Sequence, residues 1–171
     1  MKEIITVTGP AKETHKLSIR IIQENNELNI SATYISGSLH IPAKTAVVDW
    51  TSSFEAPFGQ DLGFVDIGAG SRHINVRELQ GIGLGSFLMA LIIRWAKTLP
   101  ELPVATICLS ADDAKTNDEK NRRNRFWRKL GFELILDQTE SYGHSAPMLS
   151  SQLIEPELRL AEGWRIIELN R

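Results

Sequence analysis

The sequence predicts a protein of the α/β class in its α+β form, with a β-rich N-terminal third and helices confined to the later part. Three observations carry this. Lys16 to Gln23 and Leu28 to Ser36 are runs rich in β-branched and aliphatic residues flanking Glu24-Asn25-Asn26-Glu27, a hairpin pattern. Gly81, Gly83 and Gly85 alternate with aliphatics directly before Phe87 to Lys97, an apolar run of helical spacing. A continuous apolar strand, Val104 to Leu109, expected to be buried on both faces, then separates that helix from a second, strongly charged one.

The remaining elements follow from local chemistry. Leu39-His40-Ile41 and Thr45 to Trp50 are expected as short strands divided by Pro42, and Phe54 to Leu62, with Pro57 and Gly59, as a loop. Gly63 to Ile67 and His73 to Val76 alternate like a second hairpin turned by Gly68-Ala69-Gly70-Ser71. Within 84–97, Leu84, Leu88, Leu91, Ile92 and Trp95 share one helical face, which needs a sheet to cover it, and Pro100 and Pro103 end the helix. Asp112 to Leu130 is the second helix, capped by Ser110 or Asp112, with Gly131 just past its end. Its acids (Asp112, Asp113, Asp118, Glu119) come first and its bases (Lys120, Arg122, Arg123, Arg125, Arg128, Lys129) last, as the helix dipole favours. Phe132 to Leu136 and Trp164 to Leu169 read as strands. Gly143, Pro147 and Pro156 make 138–163 a long loop with one helical turn at Glu157 to Ala161.

The 171 residues are one domain's worth, divided into a β-rich part (1–62), a core (63–136) and a C-terminal loop and strand (137–171). A formal net charge of −2 argues against general affinity for nucleic acid. Cys108 is the only cysteine, so no internal disulfide forms, and its place in an apolar run predicts a buried structural thiol. Lys2-Glu3-Ile4-Ile5-Thr6 is not followed by the apolar core of a leader, and the longest wholly apolar run, Phe87 to Ile93, is too short to span a bilayer. A cytoplasmic protein with no membrane partner is therefore expected. His15, His40 and His144 lack metal-ligand spacing, and no metal is expected.

Gln80-Gly81-Ile82-Gly83-Leu84-Gly85-Ser86 carries the functional signal. Glycines alternating with aliphatics before a helix leave backbone N–H groups uncovered, and the helix N-terminus adds partial positive charge, which suits a pyrophosphate. A plain turn does not need three glycines in five residues, because each costs conformational entropy. A dinucleotide fingerprint needs glycine where Ser86 stands, and no Gly-Lys-Ser/Thr of a Walker loop is present.

The segment resembles the pyrophosphate loop of the GNAT (GCN5-related) N-acyltransferases, Gln/Arg-x-x-Gly-x-Gly/Ala, with Gln80, Gly83 and Gly85 at the fixed positions. Asn124-Arg-Phe-Trp-Arg-Lys-Leu-Gly-Phe132 is similar to that family's Phe-Tyr-x-Lys-x-Gly-Phe helix end. The resemblance covers 63–136 and implies a mixed, mostly antiparallel twisted sheet flanked by helices. It implies acetyl-CoA as cosubstrate, with Gln80, Gly81, Ile82, Gly83, Leu84, Gly85 and Ser86 at the pyrophosphate. Ile74 and Val76 would offer main-chain contacts to a pantetheine arm lying along a diverging strand, and Asn117 or Asn121 a side-chain contact. The implied reaction is direct attack by a small-molecule or peptide amine in a ternary complex, with no covalent acyl-enzyme. The attacking amine must be neutral, and His73, Asp66 and Glu78 are the candidate bases.

Two departures matter. Trp127 stands where relatives carry a tyrosine, and an indole N–H cannot protonate a leaving thiolate, which leaves Tyr142, a water or unassisted departure. The usual pair of N-terminal helices is missing, since no amphipathic helix is evident before residue 84. Two alternatives stay open: a non-catalytic acyl-CoA-binding module, and a toxin-type enzyme that acetylates aminoacyl-tRNA, for which the Arg-rich helix would serve. A homodimer also stays open.

Overall fold

The computed structural model describes residues 2–68, 73–157 and 160–170. Strands β1 (Lys2–Thr8), β2 (Thr14–Glu24), β3 (Glu27–Gly37), β4 (Ala46–Glu55) and β5 (Phe64–Asp66) precede helix α1 (Leu84–Ala96). Then come β6 (Cys108–Leu109), helix α2 (Asn117–Lys129), β7 (Leu134–Leu136), β8 (Gly143–Ser145) and β9 (Arg165–Asn170). The molecule is mixed α/β, with a mostly antiparallel sheet flanked by two helices.

Six strands pair antiparallel in the order β5-β4-β3-β2-β1-β9, and three more in the order β6-β8-β7. The expected β2–β3 hairpin forms, and Asn25 in its turn takes φ 51, a conformation asparagine tolerates. Strand periodicity buries one face: Leu17 and Ile19 on β2, Leu28, Ile30, Ala32 and Tyr34 on β3, and Val48 and Trp50 on β4. Helix α1 covers this face with Leu84, Leu88, Met89, Ile92 and Ile93, each removed from water. Each such side chain stabilises the fold by about 1.5–3 kcal/mol. Helix α2 buries Asn124 and Trp127, packs Phe126 against the core, and leaves most of its other side chains exposed or half-buried.

Among the described residues, one backbone bridge joins the two sheets. Val65 N–H donates to the Pro103 carbonyl (2.9 Å) and Ala105 N–H to the Val65 carbonyl (2.8 Å), a parallel bridge between β5 and the chain leading to β6. Beyond it their pairing does not continue among the described residues, the Ile107 side chain lies against Gly68, and β6 pairs with β8. Ser145 fixes that far side, its N–H donating to the Ile107 carbonyl (2.9 Å) and its Oγ accepting from Ile107 N–H (3.0 Å).

Several expectations are corrected. Leu39-His40-Ile41 is not a strand, because the Tyr34 hydroxyl accepts from Leu39 N–H (3.1 Å) and donates to its carbonyl (3.3 Å). His73 to Val76 is not a strand either. The Trp50 indole takes the His73 carbonyl (3.2 Å) and the Gln80 amide that of Ile74 (2.8 Å), leaving Asn75 N–H to reach Val47 (2.9 Å). The turn expected at 68–71 lies largely outside the described residues. Val104 to Leu109 is not buried on both faces: Thr106 and Cys108 are exposed, and only Val104, Ile107 and Leu109 are buried. The buried structural thiol is thereby overturned, since among the described residues no pairing with β5 extends that far.

The second helix starts at Asn117, later than expected. Thr116 and Glu119 form a reciprocal capping box, while Ser110 caps a separate 3-10 turn, Ala111–Asp113. In 138–163, strand β8 and a 3-10 turn, Ser150–Gln152, appear where a loop was expected. The turn expected at Glu157 to Ala161 falls partly on 158–159, outside the described residues, and Ala161 N–H instead donates to the Ile82 carbonyl (2.8 Å).

The 137–142 turn anchors α2. Lys120 donates to the Thr139 carbonyl (2.7 Å), Asn124 to that of Glu140 (3.0 Å) and Arg123 to that of Ser141 (3.1 Å). The Asp137 carboxylate organises this turn by accepting from the Thr139 hydroxyl (2.6 Å) and from Ser141 (2.8 Å) and Tyr142 (2.9 Å) N–H. The Thr139 hydroxyl bond, then the backbone donors, hold its carboxyl down from 3.8 to about 2. A depressed carboxyl stabilises the fold above its unfolded value and loses that contribution as pH falls, here from 3.8 through about 2. Carbon NMR should place the Asp137 midpoint near 2, with the 139–142 amides losing order together; a midpoint at 3.8 would contradict the turn geometry.

Candidate functional site

An open cleft of about 2250 Å³ runs between the glycine turn, α2, the end of β5 and the Thr106–Leu109 segment. Its wall begins at Arg77–Leu79, a 3-10 turn ending at Gln80. Gly81 takes φ 77 and Gly83, the residue capping α1, takes φ 91. Both values lie in the left-handed region, which explains two of the three glycines. Gly83 also lacks room, since a Cβ there would stand 2.6 Å from the Ala161 nitrogen and 2.9 Å from the Leu160 backbone.

Gly85 is different. Its φ is ordinary and, among the described residues beyond its own helix, a Cβ built on it meets a Trp50 ring carbon at 3.9 Å. Alanine would be favoured there by helix propensity, so neither backbone conformation nor packing calls for a glycine at this position. The first intrahelical bond is made by Phe87 N–H to the Gly83 carbonyl (3.0 Å). The N–H groups of Gly81, Ile82, Gly83, Leu84, Gly85 and Ser86 thus meet no acceptor among the described residues. Four of these donors, on Gly81, Gly83, Gly85 and Ser86, belong to residues of the cleft wall beside the positive end of a thirteen-residue helix, an arrangement that fits a phosphate oxygen cluster.

The structure gathers some of the other sequence-predicted residues and separates others. Asp66 and His73 both line the cleft. Asp66 is half-buried and accepts from Gly68 N–H (2.8 Å), whereas the His73 side chain is exposed. Ile74 lines the cleft, while Val76, Ile82 and Leu84 are buried in the core and line no part of it. The carbonyls of Ile74 and Val76 are taken by Gln80 and Leu79, so Val76 retains only its N–H for a main-chain contact. Glu78 faces a different pocket. On α2, Asn121 lines the cleft and Asn117 does not, and Asn124 is buried and spent on the Glu140 carbonyl.

Trp127 lies 7% exposed at the cleft wall, edge-on to Phe126 (5.2 Å) and Phe132 (5.4 Å). Tyr142, offered by the sequence as a replacement hydroxyl, is 56% exposed and lines no part of the cleft. Thr106 and Cys108 do line it, and sequence reading missed both. Thr106 interrupting the apolar run was the available signal. The basic end of α2 is divided in role. Arg123 ties the helix to the carbonyls of Ser110 and Ser141, and Arg128 approaches Glu140 (4.0 Å). Arg125 and Lys129 reach the cleft with no ion-pair partner among the described residues.

The chain matches no family model, no curated protein and no solved structure. Any functional reading therefore rests on these residues and their geometry. Among the described residues, no helix is long and apolar enough to cross a membrane.

Proposed function

We propose that the chain is an N-acyltransferase that moves an acetyl group from acetyl-CoA to an amine by direct attack within a ternary complex. The observation that carries this reading is the set of free N–H groups on Gly81, Gly83, Gly85 and Ser86 at the open mouth of α1, beside strands whose pairing stops after one bridge. The glycine turn would hold the pyrophosphate, with Arg125 and Lys129 supplying cations for the coenzyme's remaining phosphate. The gap between the end of β5 and the Thr106–Leu109 segment would take the pantetheine arm. Asp66 and His73 are the bases within the cleft, and Glu78 drops out because it lies in another pocket. With Trp127 unable to give a proton and Tyr142 outside, the departing thiolate is served by Thr106, Cys108 or a water. A thiol pKa of about 8.5 makes even unassisted departure tolerable.

Trp127 and the absence of a tyrosine hydroxyl from the cleft support a second reading, a module that binds acyl-CoA without turning it over. Calorimetric titration with acetyl-CoA separates both from the case of no coenzyme at all. The native chain should bind saturably, and Gly85→Glu, whose side chain projects into open space at an ordinary φ, should abolish binding with the fold intact. Absence of heat with the native chain would overturn the coenzyme reading. Binding without acetyl release to any of a panel of primary amines would favour the non-catalytic module.

A further inference from the structure

The turn joining β1 to β2 builds a second site. Gly9 N–H donates to the Glu13 carbonyl (2.9 Å) and Lys12 N–H to that of Gly9 (3.1 Å). The Glu13 carboxylate occupies the space that a Cβ on Gly9 would fill. Next to it on β2, His15 is 2% exposed, stacked on Trp164 (5.8 Å, 20°) and tilted against Tyr34 (6.4 Å, 51°). Glu13 Oε2 and His15 Nδ1 are both shut off from solvent, and neither has a hydrogen-bond partner among the described residues. Two such atoms on residues two apart in the chain are rare, because each forfeits its hydration for nothing.

Both residues line an open pocket of about 320 Å³ together with Glu78, Trp164 and the aliphatic Ala11 and Leu39. Ser38, also at the rim, is already engaged with the backbone of Thr14 (2.9 and 3.3 Å). The lining holds two carboxylates and no lysine or arginine. Burial lowers the proton affinity of His15, outweighing the opposing pull of Glu13, so the ring is neutral at neutral pH and carries one acceptor nitrogen. What fits is a cation with several N–H donors and a short apolar tail. A metal ion fits less well, since among the described residues no group of three His, Cys, Asp or Glu is placed to hold one.

We propose that this pocket binds the ammonium head of a small alkylamine, the Glu13 and His15 side chains turning toward it so that Oε2 and Nδ1 leave their buried positions and accept its N–H groups. Glu78 adds negative charge, the Trp164 ring supplies a cation–π face, and Leu39 and Ala11 cover the tail. Trp164 is the one residue this pocket shares with the cleft, so the site stands whether or not the chain transfers acyl groups.

The test uses long-range proton–nitrogen NMR of the His15 ring and the Trp164 indole as propylammonium chloride is added to the full chain without coenzyme. Sodium chloride and sodium propionate serve at matched ionic strength. A saturable shift at both residues with propylammonium alone is expected. Glu13→Gln should weaken it by about tenfold or more, as loss of one charge-assisted bond implies. Gly9→Ala should do likewise by displacing the Glu13 carboxylate, at a φ open to any L residue. Shifts that follow ionic strength, equal shifts with propionate, or unchanged affinity in folded Glu13→Gln and Gly9→Ala would overturn the proposal and assign the orphaned atoms to a water.

Discussion

Gly83→Ala should destabilise the chain by about 3 kcal/mol and lower Tm by about 6–12 °C. Two costs add. A φ of 91 places an L residue in the left-handed region, which costs roughly 1–2 kcal/mol. The new Cβ also meets backbone, 2.6 Å from the Ala161 nitrogen, and the neighbouring strap cannot give way as a flexible side chain would. Ala161 is tied to the Ile82 carbonyl (2.8 Å), so relieving the clash breaks the bond that shapes the turn. Gly85→Ala should do the reverse in a thermal melt, raising stability by up to about 1 kcal/mol through helix propensity. On the coenzyme reading it should nevertheless weaken acetyl-CoA binding, because its Cβ enters the open mouth of α1. Two glycines two residues apart thus differ in sign for stability. Equal effects on Tm would contradict the assignment of Gly83 to packing and Gly85 to ligand space.

The second large effect is expected at Trp50. It lies opposite Ile30 at the centre of β4, 2% exposed, and donates its indole N–H to the His73 carbonyl (3.2 Å). Trp50→Ala should cost about 3–5 kcal/mol by opening a cavity beneath the first turn of α1. Trp50→Phe keeps much of the volume, giving up the hydrogen bond and the few ring atoms by which indole exceeds phenyl. It should cost about 1 kcal/mol and speed amide exchange at Asn75, whose bond to Val47 (2.9 Å) depends on His73 and Ile74 staying in place. Urea unfolding of both variants, with native-state exchange for the second, checks this. A Phe variant with unchanged exchange at Asn75 would show that Trp50 fills space without positioning the cleft wall.

What the sequence made legible was local. The β2–β3 hairpin follows from alternation around a four-residue turn, and α1 from an apolar face at helical spacing. The capping box of α2 was present as Thr116-Asn-Asp-Glu119, but the acids at 112 and 113 drew the expected start upstream, where Ser110 caps a separate short turn. Non-local pairing was not legible. Nothing in Arg165 to Asn170 shows that it lies against β1, and nothing in Gly143 to Ser145 shows a strand between β6 and β7. His73 to Val76 alternates as a strand would, yet its carbonyls are claimed by Trp50 and Gln80, partners that only the folded chain brings near.

The site divides the same way. The glycine turn was visible because φ and space select glycine at particular positions. Cys108 was misread because an apolar run does not reveal that pairing with its neighbouring strand stops short of it. Exposure of Cys108 in the cleft has a direct consequence. A maleimide should label the folded chain, and acetyl-CoA should protect the thiol if the pantetheine arm occupies that gap.

The most direct test of the central claim is a backbone amide titration of the labelled chain with acetyl-CoA. The amides of Gly81, Gly83, Gly85 and Ser86 are predicted to shift together and saturate, moving downfield as their free N–H groups gain phosphate oxygens. Those amides remaining in place while acetyl-CoA is in excess would contradict the account.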